Sequence, residues 1–163
     1  MKLTPATIDL LDNADMLVST DVDLPAGIDE VWAVIADNST WTEWFDKCKS
    51  VTATPTVWTD AGQTRSINVG GLKVDEIAVQ VDQPNRWAMT ITKSNLPLGT
   101  SLLEVLDLAD TSRQGEVRTE VRWTGAFVLP AYLKPWRGLI QSRMVAAWSP
   151  SLETLLDAVI ARR

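Results

Sequence analysis

The sequence contains no histidine and a single cysteine, Cys48. Histidine is the commonest metal ligand and the side chain that exchanges protons near neutral pH. Without it, Ser-His-Asp and Cys-His catalytic arrangements cannot be built. A zinc site would have only carboxylates and one thiolate, a poor ligand set for that ion. No metal site and no cofactor are expected, and one cysteine excludes an internal disulfide.

No apolar run approaches the roughly eighteen residues that a membrane span needs. The first residues, "MKLTPATIDLLDNADM", carry acids where a signal peptide would be apolar without interruption. The expectation is a soluble, cytoplasmic protein with no stable membrane insertion. Positive charge is also scarce, with 15 basic against 21 acidic residues and a net charge of −6. The arginines are scattered and form no stripe that could neutralise a phosphate backbone, so nucleic acid is not an expected partner. The same balance disfavours anionic membrane surfaces. The terminal "IARR" suits the C-terminal end of a helix dipole.

What the chain has is tryptophan, eight of them, with 45% apolar residues overall. At 163 residues it fits one domain that buries about two thirds of its unfolded surface. Residues 1–16 form a leading extension, in which "TPATIDLLDN" is expected to start a short helix with Thr4 as cap and Pro5 in the first turn. The domain proper is expected over 17–163. "LVSTDVDLPAG" alternates, with Val18, Val22 and Leu24 on one face of a strand. "GIDEVWAVIAD" then changes period: Ile28, Val31, Trp32 and Ile35 make one helical stripe.

Five strands are expected over Val51–Trp58, Thr64–Val69, Lys73–Asp82, Arg86–Lys93 and Ser101–Ala109. Turn signals in "DAGQ", the Gly70–Gly71 hairpin, "QPNR" and "NLPLG" join them. A sixth, "GEVRTEVRWTGAFVL", sets Val117, Thr119, Val121 and Trp123 on one face and the solvated row Arg118, Glu120 and Arg122 on the other. Helical spacing of Leu133, Trp136, Ile140, Met144, Ala147, Leu155 and Val159 predicts a long last helix, with a kink or short break near Trp148 to Ser151 caused by Pro150. The plan is α+β: an antiparallel sheet covered on one face by helix, with a gap between them as the candidate site.

That order of elements, with "GIDEVWAVIAD", "WTEWFDKCKSV", "DAGQTR", "DQPNRWAM", Gly115 and "SLETLL", resembles the START-like helix-grip superfamily, in its polyketide cyclase/dehydrase and lipid-transport branch. The resemblance implies a curved sheet of about seven strands wrapped around a long C-terminal helix, with two short helices after the first strand. It also implies that Trp41, Trp44 and Phe45 close one end of the concavity. A tryptophan buried there removes about 150–250 Å² from water, worth roughly 4–6 kcal/mol.

For each tryptophan, core packing and pocket lining stay open, and Trp32 and Trp44 match family positions used for packing. Strand and helix parity together with the resemblance give a candidate ligand-binding set: Trp41, Trp44, Trp58, Arg65, Ile67, Trp87, Met89, Ile91, Glu104, Leu106, Trp123, Phe127, Trp136, Ile140 and Met144. Large flat side chains around a concavity suit a rigid apolar ligand, and if the rings fill it only a small one. Glu104 faces inward if Leu102, Leu106 and Leu108 form the inner face, outward if Leu103 and Val105 do. Inward, its pKa is raised unless it is paired, and Arg65 is the candidate partner.

The expected function is binding of a hydrophobic small molecule, aromatic, polyketide-like or lipid-like, as carrier or sensor. The enzyme alternative is a cofactor-independent cyclase or dehydratase in which Glu104 or Tyr132 moves a proton and Arg65 steadies an enolate. A third class is a protein-binding cochaperone or toxin-like module. Cys48 is read as a small apolar filler.

Overall fold

The computed structural model describes residues 1–95 and 99–163. The alternation at the start of the domain becomes β1 (Met16–Leu24), with Val18 and Leu24 buried, Val22 packed against the same core and Ser19, Asp21 and Asp23 exposed between them. The helical stripe becomes α2 (Ile28–Ala36), whose Val31, Trp32 and Ile35 are buried. Glu30 closes its first turn by accepting the Gly27 N–H at 2.9 Å. A 3-10 turn, Asn38–Thr40, then leads into α3 (Trp41–Trp44).

Six further strands follow: β2 (Cys48–Thr54), β3 (Thr64–Val69), β4 (Leu72–Asp82), β5 (Arg86–Ser94), β6 (Ser101–Asp110) and β7 (Thr119–Val128). They form a seven-stranded antiparallel sheet in the order β1-β7-β6-β5-β4-β3-β2. This is the curved sheet expected, with the long helix α4 (Arg137–Ile160) on its inner side. The middle of the turn read in "NLPLG", 96–98, lies outside the described residues.

Several boundaries differ from expectation. β2 ends at Thr54, so Trp58 lies beyond it, held where its backbone N–H donates to the Ala36 carbonyl at 3.0 Å. β7 begins at Thr119, and Val117 is exposed rather than facing the core. Residues Lys134–Trp136 form a 3-10 turn before α4, and α4 continues unbroken through Pro150. Ala146 and Pro150 are both exposed, so the hydrogen bond that proline deletes is lost on the solvent side, where water can solvate the freed carbonyl.

The leading segment also folds differently. Its helix is a single turn, α1 (Leu10–Asn13), and Thr4 is not a cap: its N–H donates to the Thr100 carbonyl. Leu3 bonds to Thr92, and Ala6 donates to Thr90 Oγ1 at 2.8 Å. Ala6 then covers Ala88, Leu103, Val105 and Ala126 on the outer face of the sheet, with Ile8, Leu10 and Leu11 packed beside them. That cover explains why both parities of β6 are apolar: Leu102, Leu106 and Leu108 belong to the inner core, Leu103 and Val105 to this outer one.

Candidate functional site

Glu104 faces inward. Its carboxylate lies at the centre of β6 between Met89 on β5 and Gly125 on β7, and its Oε2 accepts the Trp123 indole N–H at 3.1 Å. The expected pairing with Arg65 is not the one formed. Arg65 Nε donates to Glu76 Oε2, its Nη1 to Asn38 Oδ1 at 2.9 Å, and its Nη2 contacts Met89 Sδ at 3.1 Å. The ion pair is buried on both sides.

The register explains the choice. Gly70 and Gly71 form a two-residue turn between β3 and β4, so Val69 meets Leu72, Ile67 meets Val74 and Arg65 meets Glu76 directly across the strands. The glycine pair was the sequence signal that could have found Glu76. Asn38, in the turn before α3, had no such signal.

Indole rings surround the arginine. The guanidinium carbon stands 3.8 Å from the ring centroid of Trp41, 4.7 Å from Trp87 and 5.3 Å from Trp58. A cation among aromatic faces is favoured when desolvated, and Arg keeps its charge there. Trp41 is fixed by its N–H to the Ile35 carbonyl at 2.9 Å, and Trp44 by its N–H to Thr40 Oγ1 at 3.2 Å. The Nε1 atoms of Trp58 and Trp87 are buried with no acceptor among the described residues.

The rings fill much of the concavity. Trp41, Trp44, Trp87 and Trp123 contact one another, with centroids 4.6 Å apart for Trp41–Trp44 and 4.9 Å for Trp41–Trp87. Trp148 of α4 stacks on Trp123, 4.9 Å apart and 5° from parallel. Gly125 makes that approach possible, because a Cβ there would fall inside contact distance of the Trp148 ring.

What remains is a cavity of about 160 Å³ between the sheet and the middle of α4. Of the candidate set, Trp41, Arg65, Ile67, Ile91, Glu104 and Met144 line it, joined by Phe45, Val69, Leu72, Val74, Glu76, Leu102, Ala147 and Trp148, with Asp46 and Lys47 at one side. Trp44, Trp58, Trp87, Met89, Leu106, Trp123 and Phe127 are buried in the core but do not line it. Tyr132 and Trp136 are corrections: they are 66% and 60% exposed, on the turn before α4, and do not line this cavity. Ile140 is half-buried and also outside it. A larger open groove of about 540 Å³ lies against polar residues such as Ser50, Thr52, Ser66 and Asn68, without an enclosing apolar wall.

Electrostatics single out Glu104. Burial first, and the Glu76 carboxylate next, push its carboxyl up to about 8, against the opposing pull of Arg65 and the Trp123 N–H. Arg65 already has Glu76, so a second buried carboxylate is cheaper protonated than charged. Near neutral pH the cavity therefore presents a neutral carboxylic acid beside a compensated ion pair. Cys48 is half-buried against the core, and burial raises its thiol pKa, which disfavours the reactive thiolate. Among the described residues no cluster of acids, cysteine and histidine could hold a metal, and no helix is long and apolar enough to cross a membrane.

Comparison with solved structures finds the same architecture. A Thermobifida fusca protein solved by NMR matches with a TM-score of 0.70 at 18% identity, over 88% of this chain and 92% of that one. XoxI from Bacillus cereus matches at 0.67 and 16% identity, over 88% and 95%. DynU16, from the dynemicin biosynthetic locus, matches at 0.64 and 19% identity, over 90% of this chain but 48% of its own. At these identities the likeness is one of fold. No curated protein matches the chain in sequence. The family model for polyketide cyclase/dehydrase and lipid transport matches residues 16–162, and by that match the chain belongs to this family.

Proposed function

We propose that the protein binds a small, flat, largely apolar molecule in the cavity between the sheet and α4, as a carrier or sensor. The observation that supports this is the cavity itself: about 160 Å³, walled by Ile67, Val69, Val74, Ile91 and Leu102 and flanked by Trp41 and Trp148. An engineered apolar cavity of roughly 150 Å³ accepts benzene. The space suits a single ring, and the packed indoles beside it leave no room for a long acyl chain or a fused polycycle. Titration calorimetry and intrinsic tryptophan fluorescence with benzene, phenol, indole and a long-chain fatty acid test the proposal. Saturable binding of the single-ring compounds, with none for the fatty acid, is expected; no response to any of the rings overturns it.

A second function, a cyclase or dehydratase acting on such a ligand, is favoured by one observation, the buried carboxyl of Glu104 at the cavity wall with Arg65 on the same wall, where burial favours the protonated form. A carboxylic acid that holds its proton at neutral pH can act as a general acid toward a ligand oxygen. Glu104→Gln separates the two: a carrier keeps its affinity within a few-fold, whereas an enzyme loses turnover.

A further inference from the structure

We propose that Tyr132, Trp136 and Leu139, with Arg137 and Arg143 around them, form a face that docks the protein reversibly on an anionic lipid bilayer. The proposal stands apart from the cavity reading. The three apolar side chains are 66%, 60% and 54% exposed, although the chain elsewhere buries its tryptophans deeply. Trp136 ends the 3-10 turn, and from it Leu139 and Arg143 follow at i+3 and i+7 into α4, so these three share the exposed side of its first turns. Most of α4 before Trp148 is exposed, and its inward stripe begins with the half-buried Ile140 and Met144.

Charge decides what covers this face. Of the 21 acidic residues, none lies between Glu120 and Glu153, in a chain whose net charge is −6. That stretch carries Arg122, Lys134, Arg137 and Arg143. Arg122 is paired with Glu120 and Lys134 with Asp15, both at 2.7 Å. No ion pair is formed by Arg137 or Arg143 among the described residues. The global balance that argues against anionic surfaces therefore coexists with an acid-free stretch, 121–152, in which Arg137 and Arg143 are left without an ion pair among the described residues. A second copy meeting this face symmetrically would set arginine against arginine. Exposed Trp and Tyr with long-stemmed arginines match a headgroup layer, where the rings sit at the interface and the guanidinium groups reach phosphates.

The contact would lie on the surface, since no described helix can span a bilayer. Further along the same helix, Met144 and Ala147 wall the cavity.

Co-sedimentation of the full chain with phosphatidylcholine vesicles, alone or mixed with phosphatidylglycerol, tests the face. Binding is expected only to the mixed vesicles and only at low salt. Arg137→Gln and Arg143→Gln should each weaken it about fivefold. The double change Trp136→Ala and Leu139→Ser should abolish it while circular dichroism stays native, since both positions are exposed. No binding to mixed vesicles, unchanged binding by that double variant, or equal binding to phosphatidylcholine alone overturns the proposal. So does a concentration-dependent dimer that Trp136→Ala dissociates, which would assign the face to a second copy.

Discussion

Arg65 gives its Nε–H to Glu76 and not to Glu104, although all three side chains meet at one cavity. The buried charges therefore balance at one cation and one anion, and the third group holds a proton. Removing one partner of a buried pair costs about 3–5 kcal/mol when the other charge is left uncompensated. Here Glu104 is in reserve. Glu76→Gln should cost less than that range, because Glu104 can ionise and take over part of the compensation. Combining Glu76→Gln with Glu104→Gln should destabilise by more than the sum of the single changes. Urea denaturation of the wild type, both single variants and the double variant reads the non-additivity, and simple additivity would show that Glu104 does not respond to Arg65.

The raised pKa of Glu104 carries a sign. Its folded value of about 8 exceeds the 4.5 of an unperturbed glutamate, so between these two pH values the folded state binds more protons than the unfolded one. The contribution of this group is most favourable below pH 4.5, declines as pH rises, and levels off above about 8. At its limit the loss is a few kcal/mol. Denaturation midpoints from pH 5 to pH 9 should fall more steeply for the wild type than for Glu104→Gln, and the two curves should separate most on the alkaline side. Parallel curves would show that the carboxyl is ionised throughout.

Gly125 makes a different kind of test, of shape alone. A methyl group at this position would overlap the ring of Trp148, which is wedged between β7 and its stacking partner Trp123. Overpacking of this kind costs about 1–3 kcal/mol. Gly125→Ala should lower the denaturation midpoint by that amount, and adding Trp148→Leu should recover part of the loss by making room. If Gly125→Ala is neutral, the α4–sheet spacing is looser than the stacking distance implies.

Much of this was legible in the sequence because alternation and helical spacing report which face a residue occupies. The parity of "RWTGAF" was enough to bury Trp123 and Phe127, whereas that of "SLLEVLDLAD" left both directions open for Glu104, because both faces of β6 are apolar and covered. Parity does not report what lies opposite. Arg65 was assigned the wrong carboxylate because pairing depends on register, which the Gly70–Gly71 turn sets and face counting ignores. Trp136 was misplaced for a related reason: the helical stripe was carried back from Met144 through Ile140 to Trp136, but periodicity carries no information about where the sheet beneath it stops; Tyr132, offered only as a proton carrier, had no pattern placing it inward. Trp148 was not among the candidates, and a kink or short break was expected around it at Pro150; the helix holds, and Trp148 stacks on Trp123. The outer cover by residues 6–14 needed contacts far apart in sequence, which no local pattern encodes.

The size of the cavity can be tested without knowing the natural ligand. Val69, near the end of β3, is half-buried, lines the cavity and lies opposite Cys48 and Leu72 in the sheet. Phenylalanine is well tolerated in strands, and at this position its ring has the cavity itself to enter. Filling an apolar void restores contacts that the lining atoms lack, so Val69→Phe should leave the denaturation midpoint unchanged or raise it by about 1 kcal/mol equivalent. The same ring would occupy the space offered to a ligand, and calorimetric affinity for benzene or indole should fall at least tenfold. Loss of stability together with unchanged affinity would mean that the new ring points elsewhere. Gain of stability with unchanged affinity would mean that the single-ring compounds bind outside this cavity, and the function proposed for it would then be wrong.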